Sequence, residues 1–345
     1  MDLKRFGPRV VLFSDTSGGG VQGLIRRLRS AGDRSATDLL VAARRKVRRL
    51  LLPHRLMPFA QAIHIEITNA CNLKCVMCPR PNMDRPAGFM DRNLFTKIIR
   101  QLAVQKRHIE SVALMGLGEP FLHKEFFDYA RLAKQARLRR LYTSTNATLL
   151  DESTVKRLFD DNTIDLLILS LDGASKETYE SIRPGVPFEV VEANVQCLLA
   201  EKKRRGVYRP TVELQILLME KTAGEIEAFC EKWVGRLGPG DRILVKEADT
   251  FGGQVPDFRT AELRNREPAK RFACRQLWKD LSIGWDGQVT VCCKDVFYKL
   301  VVGDANREHL VDIWRGLCWS RIRRAHLDQQ WSQLDPCDNC REWWI

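Results

Sequence analysis

Residues 68–80 read Thr68-Asn69-Ala70-Cys71-Asn72-Leu73-Lys74-Cys75-Val76-Met77-Cys78-Pro79-Arg80. They follow the apolar, strand-like run Ile63–Ile67. Three thiols in the spacing Cys-x3-Cys-x2-Cys, on a loop at a strand's C-terminal end, suit zinc or an iron–sulfur cluster. Structural zinc normally takes a fourth protein ligand. Three cysteines on a [4Fe–4S] cluster would instead leave one iron open to a small molecule. His64 is a conceivable fourth ligand, but alternation along the strand makes it a poor one.

Outward from this stretch, strand-like runs alternate with helical patterns. The runs are Ile63–Ile67, Ser111–Met115, Arg140–Thr145, Leu166–Leu171, Val212–Met219 and Arg242–Glu247. Helix-like segments cover Asp91–Gln105, Lys124–Ala136, Asp151–Phe159, Val190–Arg205 and Ala223–Val234. Six βα units in series predict parallel strands joined by crossovers. The expected fold is therefore α/β, a partial (β/α)6 TIM-like barrel or open sheet spanning residues 61–255. Its chemistry should gather at the C-terminal strand ends.

Two segments flank that unit. Residues 1–60 hold 13 of the 56 Lys+Arg but only 4 of the 43 Asp+Glu, so most of the net charge of +13 belongs to this arm. That argues against nucleic acid as a partner for the whole chain. Val10–Phe13 reads as a short strand before a Gly-rich turn and a helix over Val21–Ser30. Strand, turn and helix could cradle a phosphate, but an ordinary surface turn is the simpler reading. Residues 36–52 read as a basic amphipathic helix that either packs on the following domain or lies on an anionic membrane. No apolar run reaches the ~20 residues of a membrane span, and no signal peptide is evident. The expected location is the cytoplasm, free or peripheral at the inner membrane face. In a reducing compartment, 11 cysteines read as ligands, catalysts or buried fillers rather than disulfides.

After the polar linker 255–269 comes a Cys- and Trp-rich tail, read as a small α+β domain over 256–345. Residues 282–291 predict a hairpin with an Asp-Gly turn, and Leu310–Leu327 predicts a helix. The tail carries Cys274, Cys292, Cys293, Cys318, Cys337 and Cys340. Cys292 and Cys293, if adjacent on a strand, would point to opposite faces, so one of them would be free. Cys197, Cys230 and Cys318 fall on helices, where core packing is the better reading.

The Cys71, Cys75, Cys78 triad resembles that of the radical S-adenosylmethionine (SAM) superfamily. Three further stretches carry the resemblance. Leu117-Gly118-Glu119-Pro120 is similar to the family's Gly-Gly-Glu-Pro, with Leu117 at the first Gly and Gly116 before it. Ser144-Thr145-Asn146 resembles its Thr-Asn-Gly, with Ala147 at the Gly. Ser170-Leu171-Asp172-Gly173 matches a fourth strand end. The resemblance implies a [4Fe–4S] cluster on Cys71, Cys75 and Cys78, and SAM held by Gly118, Glu119, Asn146, Ser170 and Asp172. Glu119 would accept from the SAM ammonium group.

Cys274, Gly287, Cys292 and the terminal Cys337-x2-Cys340 resemble the SPASM/twitch extension of these enzymes, in its shorter twitch form. This implies an auxiliary [4Fe–4S] cluster on Cys274, Cys292, Cys337 and Cys340, with zinc on the same four as the alternative. Cys293 is then free, a buried filler or a catalytic hydrogen-atom donor. The activity implied is reductive cleavage of SAM and hydrogen abstraction from a substrate C–H bond, by a dehydrogenase or epimerase. A saccharide or cyclitol is the favoured substrate, in aminoglycoside-like or nucleotide- or lipid-linked form, with flavodoxin or ferredoxin as reductant. Peptide maturation and non-catalytic electron transfer are the alternatives. Lys246, Glu247, Asp249, Glu220 and Arg183 are rim candidates for acid, base or phosphate clamp.

Overall fold

The computed structural model describes residues 3–12, 57–265 and 271–343. The Gly-rich turn and both helices expected between residues 14 and 52 lie outside the described residues. The strands are β1 (Val10–Leu12), β2 (Ala62–Ile65), β3 (Ser111–Leu114), β4 (Leu141–Thr145), β5 (Leu166–Ser170), β6 (Thr211–Leu218), β7 (Arg242–Glu247), β8 (Asp280–Ile283), β9 (Gln288–Thr290) and β10 (Val301–Asp304). They form one open sheet, in the order β1-β7-β6-β5-β4-β3-β2-β8-β9-β10. Pairing is parallel from β1 through β8, and antiparallel for β8–β9 and β9–β10. The six expected runs are the parallel strands β2–β7, each within two residues of its expected ends.

The helices are α1 (Arg92–Gln105), α2 (Phe126–Gln135), α3 (Glu152–Asp161), α4 (Lys176–Ile182), α5 (Phe188–Arg205), α6 (Ile226–Val234), α7 (Ala261–Arg264), α8 (Leu310–Arg315) and α9 (Leu317–Leu327). Side-chain caps start several of them. Asp91 accepts from the Asn93 and Leu94 amides, Asp151 from Thr154, and Ser175 from Thr178. Such caps satisfy amides that have no partner inside the helix. One sheet face carries the main core. Ile63 and Ile65 on β2, Val112 and Leu114 on β3, and Leu167 and Leu169 on β5 are fully buried there with the helices. Their alternating neighbours, such as His64, Tyr142 and Ser144, stay half-buried on the other face.

The structure adds to or changes the expectations at four points. The tail's hairpin does not stand apart, because β8 pairs with β2 in register, Ala62 with Asp280 and Ile65 with Ile283. The arm contributes β1, which pairs with β7, and Arg5 bridges Glu227 and Glu231 at 2.9 and 2.8 Å. The segment expected to be one helix over Leu310–Leu327 breaks at Gly316, whose ψ of 163° is extended. α4 was not expected, because its polar sequence reads as loop until Ser175 is seen to cap it.

Candidate active site

The loop after β2 is tied down by its own polar side chains. The Thr68 hydroxyl donates to the Gly88 carbonyl (2.7 Å) and accepts from the Ala70 amide (3.0 Å). Asn69 donates to the Pro86 carbonyl at 2.9 Å and accepts from Gly88 N at 2.8 Å. Both side chains are buried and both ends of each are used, which is what burial of polar groups demands. The loop presents Cys71, Cys75 and Cys78, whose thiols lie near enough to repel one another's charge. Burial raises Cys71 and pushes Cys78 up to about 11. Asn146 Nδ2 donates to Cys71 Sγ at 3.8 Å, and Arg183 Nη1 to Cys75 Sγ at 3.4 Å. This is a soft, three-thiol donor set supplied with N–H donors, and His64 is directed elsewhere. It fits a cluster with one open iron better than a closed zinc site.

The second motif packs directly on this loop. The Glu119 amide donates to the Ala70 carbonyl at 2.8 Å. A Cβ on Gly118 would fall 2.4 Å from the Thr68 carbonyl oxygen and 2.6 Å from that of Ala70, so only glycine permits the approach. Gly116 is equally confined, against the Glu66 side chain at 2.4 Å, and Leu117 is buried beside it. Glu119 is 2% exposed. Its Oε1 accepts from Thr145 Oγ1 (2.8 Å) and Phe121 N (3.2 Å), and Oε2 from Asn146 N (2.8 Å). Burial nonetheless pushes it up to about 7. A buried carboxylate held only by neutral donors suits an incoming ammonium group.

Asn146 also donates to Asn72 Oδ1 at 2.9 Å. Ala147 has φ +63°, a conformation that glycine takes without cost. Ser144 and Ser170 face each other, Oγ to Oγ, at 3.3 Å. Asp172 is placed differently from the expectation. Its Oδ2 accepts from Arg183 Nε at 2.9 Å and its Oδ1 from the Leu217 amide at 2.7 Å, with no exposure. Both oxygens are thus committed to the chain, and the residue positions Arg183 rather than facing a ligand. Arg183, expected at the rim, is buried on the thiol loop.

The second thiol set gathers at the other end of β8. Cys274 precedes the strand, and Cys292, Cys337 and Cys340 all feel its charge. Burial pushes Cys274 up to about 11 and Cys337 to about 12. Arg271 Nη2 donates to the Cys337 carbonyl at 2.6 Å, and its charge acts on Cys274, Cys337 and Cys340. Among the described residues no carboxylate pairs with it. His326 Nδ1 accepts from the Cys274 amide at 3.4 Å. Arg271 Nε and His326 Nε2 are buried with no partner. Two orphaned donors and an unpaired cation beside four thiols fit an anionic iron–sulfur cluster. Neither residue carries a sequence signal beyond its nearness to the tail cysteines.

Cys292 and Cys293 are not on a strand. β9 ends at Thr290, so strand alternation does not apply, and the two thiols lie close enough for each to act on the other's charge. Cys293 nonetheless has its own surroundings. Its Sγ, a His64 ring nitrogen and an Asp280 carboxylate oxygen lie within 4.8 Å of one another. Lys294 Nζ meets Asp249 at 2.5 Å, and Asp249 also holds Lys246 at 2.6 Å. Glu220 pairs with Arg264 on the surface. Cys230 is buried in the core as expected, and Cys197 is half-buried, but Cys318 is exposed on α9, contrary to its core reading.

Residues 65–231 match the family described as Radical SAM superfamily, and residues 274–341 match an iron–sulfur cluster-binding domain, SPASM. A relative in Pyrococcus furiosus, a tungsten-containing aldehyde ferredoxin oxidoreductase cofactor-modifying protein, is 29% identical over 46% of this chain and 44% of its own. The match thus spans under half of that relative's length. Two solved structures share the fold. BtrN in complex with AdoMet and 2-DOIA has a TM-score of 0.55 at 19% identity, covering 82% of this chain and 93% of its own. Streptococcus suis SuiB bound to precursor peptide SuiA has a TM-score of 0.63 at 17% identity, covering 84% and 72%. Among the described residues no helix is long and apolar enough to cross a membrane.

Proposed function

The chain belongs to the radical SAM superfamily and carries a C-terminal iron–sulfur cluster-binding domain, and from that premise we propose that it oxidises or epimerises a hydroxyl-bearing small molecule, a saccharide or cyclitol. Family and domain together imply SAM, a [4Fe–4S] cluster and an auxiliary cluster. When bound, these groups supply one-electron chemistry, in which reductive cleavage of SAM yields a radical that takes hydrogen from a substrate C–H bond.

The remaining work belongs to the protein. Cys71, Cys75 and Cys78 would hold the first cluster, and Cys274, Cys292, Cys337 and Cys340 the second. Asn146 and Arg183 would supply N–H donors to the first thiol set. Glu119 would receive the SAM ammonium group, and its low exposure would keep water from competing. Ser144 and Ser170 would present hydroxyls beside it, and Asp172 would hold Arg183 in place. Fixing a reactive centre and excluding solvent are the protein's share of radical catalysis.

The observation that supports the reading most directly is the contact of the Glu119 loop with the Cys71 loop, which sets an ammonium acceptor beside an open thiol triad. Anaerobic reconstitution with SAM and a strong reductant tests it. 5′-Deoxyadenosine should form, and Cys71→Ala should abolish it. No product from a protein with its first cluster intact would refute the enzyme reading. Turnover in D2O then separates the two outcomes. Deuterium fixed at carbon, and lost in Cys293→Ser, marks epimerisation with Cys293 as hydrogen donor. An oxidised product without label marks dehydrogenation.

A further inference from the structure

We infer that the face of β8, β2, β3 and β4 opposite Ile63 and Ile65 carries a recognition row for a polyhydroxylated substrate, formed by Ser282, His64 and Tyr142 with Asp280 and Cys293 beside them. The inference rests on the enzyme reading above and goes further, by assigning the residues that meet the substrate and the chemistry they select.

The row follows from register. His64 pairs with Ser282 on one side and with Ala113 on the other, and Ala113 pairs with Tyr142. Paired residues of adjacent strands project from the same face. Ser282, His64, Ala113 and Tyr142 therefore stand side by side across four strands. It is not the core face, because Ile63 and Ile65, which flank His64 in sequence, are fully buried among the helices. Ala113, fully buried, adds only a methyl group between His64 and Tyr142.

Among the described residues, most of this row's hydrogen-bonding capacity is unused. The Ser282 hydroxyl is buried with no hydrogen bond. Among the described residues the His64 imidazole makes no hydrogen bond, and its Nε2 stands 3.9 Å from Asp280 Oδ2. The Tyr142 phenol has none among the described residues. Asp280 is held from behind, where the Gln276 amide, turned to face it, donates at 2.9 and 3.3 Å. Cys293 closes the group, its sulfur with the His64 and Asp280 ligand atoms. Buried polar groups in folded proteins are rarely left unpaired, and a cluster of them on one face calls for a ligand that supplies the missing bonds. A hydroxyl, a phenol, an imidazole and a carboxylate offer donors and acceptors without a fixed net charge. That matches the mixed donor–acceptor character of vicinal hydroxyls better than an apolar or purely anionic ligand.

The position agrees with the chemistry. The Cys71 loop follows the C-terminal end of β2, while Cys274 precedes β8 and Cys293 Sγ lies within 4.8 Å of an Asp280 carboxylate oxygen at that strand's start. The row thus lies between the two thiol sets along the strand direction. Ser144, beside the cofactor motifs, is two residues further along β4, or about 7 Å.

The test uses the reconstituted full chain with SAM and no reductant, so that nothing turns over. Saturation-transfer NMR and titration measure binding of myo-inositol and glucosamine, with the tripeptide Ala-Leu-Ala as comparator. Both polyols should bind saturably. The double variant Tyr142→Phe/Ser282→Ala should weaken them roughly tenfold or more, with SAM affinity and cluster content unchanged. Absence of polyol binding, or equal binding in the variant, overturns the inference. So does tripeptide binding with the same dependence on Tyr142 and Ser282. The enzyme reading is judged separately, by 5′-deoxyadenosine once reductant is added. SAM cleavage without polyol binding would remove this inference alone.

Discussion

Asp172 shows how a residue can lie in a recognised motif and still serve another residue. Its carboxylate is spent on Arg183 and the Leu217 amide, so its value lies in holding a buried guanidinium against Cys75. Removing one partner of a buried ion pair leaves an uncompensated charge, at a cost of about 3–5 kcal/mol. Asp172→Ala should lose that much in denaturant unfolding of the cluster-free chain. A loss under about 1 kcal/mol would mean that water reaches Arg183. Glu119 makes the opposite case. Its carboxyl is raised from 4.5 to about 7 by burial, so the folded state favours its protonated form. Its contribution to stability is full below pH 4.5 and is lost as pH rises through 7. The melting temperature of the cluster-free chain should fall over that window, and Glu119→Gln should flatten the fall. An unchanged slope in the variant would assign the effect elsewhere, with Asp280, raised the same way, the next group to test. The place of Glu119 against the Cys71 loop was legible in the motif. The pairing of Asp172 was not, since no spacing rule shows which carboxylate oxygens the chain has already used.

At the scale of elements, apolar runs located β2–β7 well because parallel strands buried beneath helices read as continuous Val, Ile and Leu. Runs say less about where a strand stops. Val289-Thr290-Val291 reads as one continuous strand into Cys292, yet pairing ends at Thr290, and that single residue decides whether Cys292 and Cys293 diverge or touch. β1 was legible as a strand but not as a partner of β7, because nothing local in Val10–Leu12 points to residues 243–245. Its pairing makes a prediction. Deleting residues 1–12 would bare the edge of β7 and strand Glu227 and Glu231 without Arg5. Exposed edges template association. The truncated chain should form concentration-dependent oligomers in light scattering, whereas Arg5→Ala alone should not.

For the molecule as a whole, composition marks a boundary near residue 255 that the sheet ignores. The cluster-binding tail begins by adding β8 to β2, and Glu342 reaches back to accept from Thr250 N and Oγ1, both at 2.6 Å. A chain cut after residue 255 would expose β2 along its full length and remove Asp280 and Ser282 from beside His64. Calorimetry of the intact protein should therefore show one cooperative transition, and residues 1–255 alone should not fold stably. Two well-separated transitions would instead make the tail an independent unit. Composition could not reveal this, because register between strands more than two hundred residues apart leaves no local trace.

Both flanks of the parallel sheet have a further consequence in the order of synthesis. Among the described strands β1 waits for β7, and β2 waits for β8, whose last residue is Ile283. Local contacts form early and distant ones late. The nascent chain therefore carries open strand edges, with Cys71, Cys75 and Cys78 already made, until residue 283 has emerged. Metal loading of the finished site therefore waits for β8, whose last residue is made more than two hundred residues after Cys78.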